Sequence, residues 1–566
     1  MRPTTLPPPP WTGWLYAILF TCFPLAAMAW AWAMGAVNVP KWDDHALKGF
    51  LEALEQEHSP LGVIRLFLKQ HNEHRIVYDR LLVWADHAVF GKLSFTRLMV
   101  YGNLSLLGLV AVLAAVAARH SRRWYLLVPP FMLFIISLAQ WENFYWALSS
   151  IQNFSIVFWV LWSLYALSHR QTPWRGIALA TVATLVSGNG FLAWPCGVVV
   201  LVAQKRYPLL WPWLGATGLL VCLYFWHYTQ PNTHPAAHTT LTETLAAGLA
   251  FLGGAADALP VESGTFWPCA ALGAGLLLFW GTVAGRRVAD FFTEKRATAL
   301  DAFMLSAVAF MVCTAIVVVA GRLGYGRESL LTSRYRIYSL TLLALTYLYV
   351  ALRHGQQRTW AVALAGLAIS GTLWWSAFRL NAHESLALRR SLLTSQYNWT
   401  YTGPMPEARL DATTKRLVNN APAYYDPLMT SLFQTPTDTP IQMEPVQKDD
   451  QNYTLTIVPG SLAPAVPTIA HPDAGLTVLL RSGQRTYLYP ALPMPRRHWR
   501  VVAGLLPAYD PHAPIRVSIP TPEPATGTYT VVVIDCPPNG PCQLRPTGKL
   551  LTVAPHAGQA NRPKNW

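Results

Sequence analysis

A series of apolar runs, each long enough to cross a bilayer, constrains this chain more than any other feature. A membrane-crossing helix needs about 20 mostly apolar residues. Runs near 14–36, 98–118, 124–140, 153–168, 176–188, 191–204, 209–228, 267–285, 299–320, 337–352 and 359–377 read as eleven such spans. Backbone polar groups find no water in hydrocarbon, so a chain with this pattern must fold as a helical bundle. The composition agrees, with 52% apolar residues, 24 Trp and only 13% charged residues, which is too hydrophobic for an ordinary soluble enzyme. The first run follows Pro-rich "TTLPPPP" rather than a basic flank, so it reads as a retained span and not as a cleaved signal.

Charge sets the expected orientation. The loops "RHSRR" (119–123), "HRQTPWR" (169–175), "QKR" (204–206), "GRRVADFFTEKR" (285–296) and "RHGQQR" (353–358) alternate along the chain. By the positive-inside rule all five face the cytoplasm, with the N-terminus beside them and residues beyond 378 outside. The net charge of +15 is then largely topological. It does not point to nucleic acid, because the cations are scattered rather than gathered in one stripe.

Residues 37–97 form the first external loop, expected as helices lying on the membrane surface: "DDHALKGFLEALEQ", "PLGVIRLFLKQ" and a stretch over 74–90 each carry apolar residues at helical spacing. Residues 98–379 make the bundle. Within it "GLAFLGG" (248–254) is apolar but short, so it reads as interfacial or re-entrant. The tail, 380–566, starts with a helix and then turns to short β-like runs: "YTLTIVP", "LTVLLRS", "TYLYPA", "HWRVVAGLL", "IRVSIP", "TYTVVVIDC" and "LLTVAP". Such spacing suggests an extracytoplasmic β-sandwich. "CPPNGPC" brings Cys536 and Cys542 together across a turn, and a disulfide there fits an oxidising compartment. The other five cysteines lie in apolar spans, where a lone Cys is a small core residue. The rings of "HWRVV", "TYLYP" and "YYDP" (424–427) offer surfaces for a glycan, although strand aromatics are more often core.

The ionisable residues gather at the ends of the spans expected outside. "KWDDHA" sets Asp43 and Asp44 just past the first span. They suit a helix cap, or a general base whose pKa is raised by burial and a like charge. In "KQHNEHRIVYDR", His71, His74 and Arg75 fall three and four apart, as on one helical face, with Glu73 beside them. That set can hold a divalent cation through His71, Glu73 and His74, bind phosphate with Arg75, or simply be a solvated face. "QWENFYW" embeds Glu142 and Asn143 among aromatic rings suited to a sugar. "GRLGYGRESLLTSRYR" carries Arg322, Arg327, Arg334, Tyr335 and Arg336 in a loop where the positive-inside rule disfavours arginine. A bound phosphate accounts for them through bidentate hydrogen bonds. "SGNGFLAWP" (187–195) breaks two short apolar halves and can line a groove.

With "WDDHA" after the first span, a long helical first external loop and the acidic residue of "QWENFYW", residues 14–380 resemble a bacterial member of the glycosyltransferase C superfamily, polytopic enzymes that use polyprenyl-phosphate sugars. "HNEHRIVYDRLL", "SGNGFLAWP" and "SRYRIYSL" are also similar to bacterial membrane proteins. The resemblance implies the superfamily's bundle in the bacterial inner membrane, a lipid-linked donor, a glycan or lipid acceptor and catalysis at the outer face. It carries the proposed catalytic aspartate over to Asp43 or Asp44, with Glu142 as a further acidic residue. The superfamily's usual Asp-Glu pair is Asp-Asp here, and the resemblance does not extend to the tail. Two other readings compete: a transporter or flippase of lipid-linked sugars, and a non-catalytic scaffold with a glycan- or protein-binding tail.

Overall fold

The computed structural model describes residues 10–229, 239–262, 264–293, 295–400, 416–418, 439–449, 451–458, 466–510, 512–521 and 523–555; "YYDP" lies outside them. The chain separates into two compact units. One comprises Met1–Trp30, His58–Leu82 and Leu98–Phe378, and the other Ala31–Glu57, Val83–Arg97 and Arg379–Trp566. Residues 37–97, read above as one loop, are thus shared between the two.

The helices in chain order are α1 Pro10–Gly35, α2 Asp44–Gln56, α3 Pro60–Leu68, α4 Val77–Phe90, α5 Phe95–His120, α6 Val128–Ile135, α7 Trp141–Tyr145, α8 Ala147–His169, α9 Trp174–Val186, α10 Ala193–Ala203, α11 Leu210–Phe225, α12 Leu241–Leu252, α13 Phe266–Phe292, α14 Ala299–Arg322, α15 Arg336–Arg353 and α16 Thr359–Thr400. Among the described residues, nine helical segments are long and apolar enough to cross a membrane. The two expected spans that fall short are α9 and α10, of 13 and 11 residues. At 1.5 Å per residue, α9 is roughly 20 Å long against a hydrocarbon core of about 30 Å. The "GLAFLGG" stretch runs over the end of α12, which is also too short to span. α12 meets α13 backbone to backbone: a Cβ on Gly253 would stand 1.9 Å from the Cys269 carbonyl oxygen, and one on Gly273 1.9 Å from that of Leu249. Glycine here permits an approach that any side chain would block.

Within the first unit, the loops that the charge rule assigns to one side gather at one end. The Nε2 atoms of His120 and His169 lie 3.4 Å apart. Arg206 donates to the carbonyls of Leu167 (2.6 Å), Arg170 (2.6 Å) and Gln171 (3.0 Å), and the Ala297 amide donates to the Ala203 carbonyl (2.9 Å). Buried Asp301 pairs with Arg353 and, at 3.5 Å, with Arg287. Five loops far apart in sequence therefore share one layer. α14 and α15 run from that layer to the opposite end.

The second unit carries two four-stranded antiparallel sheets. One joins β1 (Gln442–Met443), β2 (Gln447–Lys448), β3 (Asn452–Val458) and β6 (Ile515–Pro520); the other is ordered β5 (Thr486–Ala491), β4 (Gly475–Arg481), β7 (Gly527–Cys536), β8 (Gln543–Val553). Leu455 and Ile457 of β3 and Val517 of β6 share one buried cluster with Val478, Tyr487 and Val531 of the other sheet. The rings of Tyr487 and Tyr489 are therefore core and offer no glycan surface. "HWRVVAGLL", expected to be extended, instead forms a short helix, α17 (Trp499–Val502). His498 starts it by accepting the Arg500 amide on Nδ1 at 3.0 Å, a local cap that outweighs the β-branched pair Val501–Val502. A disulfide joins Cys536 to Cys542 between β7 and β8.

Candidate functional site

The segment 69–80 is not one helical face. α3 ends at Leu68, and His71 and His74 then exchange backbone hydrogen bonds (2.7 and 2.9 Å) around a tight turn. Asn72 takes positive φ there (48°), a conformation that asparagine tolerates better than most residues. The two arginines are caps. Arg75 donates to the carbonyls of Leu68 and Trp226, and Arg80 to those of Phe67 (2.8 Å) and Lys69. They satisfy the carbonyls left over at the C-terminal end of α3, where positive charge is favoured. Burial holds Arg80 down to about 10, and neighbouring Asp79 opposes that shift.

The turn aims its polar side chains at other loops. Glu73 receives Arg322 at 2.8 Å. His74 Nδ1 accepts the Gly188 amide at 3.3 Å; a Cβ on Gly188 would lie 2.9 Å from that atom. Burial pushes the His74 imidazole below its ordinary pKa; Glu73 opposes the shift, while Arg322 and His71 add to it. The ring that accepts from Gly188 is thus held neutral. Next to it, Asn189 donates to the Tyr338 hydroxyl at 2.8 Å.

A second set closes around α7. Buried Glu142 accepts the Ser333 hydroxyl at 2.9 Å, and its own amide donates back to that oxygen at 3.1 Å. Asn143, with no exposed surface, donates to the Arg334 carbonyl at 2.9 Å and accepts from Ser149 (2.7 Å) and Asn153 (3.1 Å). Its amide is a strut in this arrangement. Arg336 is one too: buried, it donates to the carbonyls of Ala139 (2.8 Å) and Leu331 (3.1 Å) and pairs with Asp257. Asp257 carries no signal in the sequence; Ser333, Asn189 and Tyr338 stand inside the quoted motifs, but nothing in the chain marks which residues they hold.

Four motifs scattered from residue 69 to 338 are thereby joined at the end of the first unit opposite the basic layer. Their arginines differ sharply in partners. Arg336 faces Asp257, Arg322 faces Glu73, and exposed Arg327 lies 3.5 Å from Glu328 and over the Phe266 ring. Arg334 has no acidic partner among the described residues. Its half-buried guanidinium stands over Trp146 at 5.6 Å and Tyr335 at 5.3 Å. An arginine close to two aromatic rings, one residue from a serine that binds a buried carboxylate, can take an anion and stack a ring beside it.

The three donors expected to hold a divalent cation each turn to a different protein group: Glu73 to Arg322, His74 to Gly188, and His71, whose Nε2 lies 3.5 Å from the Asn72 side-chain amide. Among the described residues no group of three His, Cys, Asp or Glu is gathered to hold a metal. Asp43 and Asp44 belong to the second unit, at the start of α2. Asp44 is fully buried and accepts the Lys41 amide at 3.0 Å, whereas Asp43 retains some exposure.

No family model, no curated protein and no solved structure matches this chain.

Proposed function

We propose that this protein is an inverting glycosyltransferase of the bacterial inner membrane that moves a sugar from a polyprenyl-phosphate donor to a glycan or lipid-linked acceptor. In this reading the N-terminus is cytoplasmic and the β-rich residues form a periplasmic sandwich. The fold follows the glycosyltransferase C pattern with nine or eleven crossings. The two counts give the same sidedness, because α9 and α10 leave and return through basic loops that share one layer.

The observation that carries the proposal is Arg334, which among the described residues has no acidic partner and no backbone carbonyl to cap, and which lies on aromatic faces. In the reaction an acceptor hydroxyl attacks the anomeric carbon, and the bond from that carbon to the phosphate oxygen breaks. The hydroxyl proton passes to a carboxylate. Polyprenyl phosphate leaves with the bond's electrons, its charge held by Arg334. The resemblance assigns the base to Asp43 or Asp44. Partial exposure favours Asp43, since Asp44 is fully buried.

The test is transfer of labelled sugar from a panel of polyprenyl-phosphate donors to a lipid-linked glycan by purified protein, with Asp43→Asn and Arg334→Gln alongside. Transfer by the wild type and its loss in both variants supports the reading, and transfer unchanged in both removes it. The break between α9 and α10, with Asn189 on Tyr338, favours a flippase as second reading. Donor binding without transfer would select it.

A further inference from the structure

Residues 492–508 form a loop in the second unit whose surface does not suit water. Among the described residues from 439 to 555 four large apolar side chains are exposed, and three stand in this loop: Met494 (90%), Trp499 (56%) and Leu505 (67%). The loop also holds Arg496, Arg497 and Arg500, so apolar tips lie among cations. Its base is clipped shut. The Arg496 amide donates to the Ala508 carbonyl at 2.7 Å, Pro495 bridges Tyr509, and Arg496 pairs with Asp510. Arg500 lies over the Trp499 ring at 5.7 Å.

The loop is fastened to one particular height on α16. Arg379 donates to the Val501 carbonyl of α17 through Nε (3.4 Å) and Nη2 (3.3 Å), and buried Tyr509 packs on the His383 ring at 4.6 Å between centroids. Arg379 is the first charged residue after the apolar run 359–378, directly behind Trp374, Trp375 and Phe378. An aromatic pair followed by arginine marks the headgroup level of a span. Short apolar-and-basic helices at that level lie flat in the interface, tips in the acyl boundary and cations at the phosphates.

We propose that loop 492–508 is a membrane-interface anchor, in which Met494, Trp499 and Leu505 insert at the bilayer boundary crossed by α16 and Arg497 and Arg500 meet anionic phospholipid headgroups. The occupant is the bilayer itself, chosen on charge complementarity and on the Arg379 tether. This inference does not rest on the glycosyltransferase reading.

Amide hydrogen exchange on the full chain tests it, with the protein in nanodiscs of phosphatidylcholine, in nanodiscs doped with phosphatidylglycerol, and in short-chain detergent. Residues 494–505 are expected to exchange slowest with phosphatidylglycerol, on the order of tenfold slower than with phosphatidylcholine, since each basic residue near an anionic surface contributes roughly fivefold in binding. Arg497→Gln/Arg500→Gln removes that lipid dependence, while Met494→Ser/Leu505→Ser removes protection in both nanodiscs. Unchanged protection of β4 and β7 reports an intact sheet. If a variant loosens the sheet, the wild-type lipid series decides alone. Equal exchange of the loop in all three environments overturns the proposal, as would protection appearing only when another protein is added.

Discussion

The two ends of the first unit use the same residue types to opposite effect. At the basic end, one buried carboxylate, Asp301, is surrounded by Arg353, Arg287 at 3.5 Å and the Thr298 hydroxyl at 2.7 Å. Cations exceed anions there, and the surplus arginines are solvated or bind carbonyls. At the other end three carboxylates each have a partner: Glu73 has Arg322, Asp257 has Arg336 and Glu142 has Ser333. Arg75 and Arg80 cap carbonyls, while Arg334, with no acidic partner among the described residues, has aromatic rings for neighbours. Surplus charge in a solvated loop fits a topological signal. A half-buried arginine set on aromatic rings, with neither acid nor carbonyl to hold it among the described residues, fits a ligand.

Substitutions at the two ends test this contrast. The largest effect is expected from Arg336→Met, which leaves Asp257 buried without its guanidinium; a loss of about 3–5 kcal/mol is the usual consequence, read as a fall in thermal unfolding temperature in detergent. A comparable fall from Arg334→Met would erase the distinction between strut and ligand site. Asp301→Asn is expected to cost less, roughly 1–3 kcal/mol, because Arg353 and Arg287 stay partly in water once released.

A pH series gives a smaller effect. Burial holds His74 below its ordinary pKa, so the folded state favours the neutral ring. Its contribution is fully present above the unfolded value of about 6.5 and is lost as pH falls toward the lowered folded value. The melting temperature of the wild type should therefore drop between neutral pH and pH of about 5 more steeply than that of His74→Gln. Parallel curves would exclude His74 as the source. The least change is expected for Arg322→Gln, whose pair with Glu73 is partly exposed and contributes about 0–1 kcal/mol.

Much of the fold was legible because hydrophobic length is a property of each run by itself. The nine segments that qualify as spans correspond to nine of the eleven expected ones, and the two that fall short flank "SGNGFLAWP". Strands β3 to β8 overlap short β-like runs, and the disulfide follows "CPPNGPC". What remained illegible was partnership. Composition marked Arg75 and Arg336 as phosphate ligands, yet one caps α3 and the other faces Asp257, a residue in a short helical turn with no signature of its own. Helical spacing put His71 and His74 on one face, but the His71–His74 turn closes through backbone bonds that spacing does not encode. Charge patterns showed where polar chemistry gathers; only the packing told occupied groups from open ones.

The central claim is that Arg334 is the open group. The direct measurement is the affinity of purified protein for a polyprenyl-phosphate sugar, compared among wild type, Arg334→Gln and Arg322→Gln. Removing a charge-assisted contact to phosphate should weaken binding by roughly tenfold or more in Arg334→Gln, with Arg322→Gln close to wild type. Equal affinity for wild type and Arg334→Gln, or a larger loss in Arg322→Gln, would contradict the account.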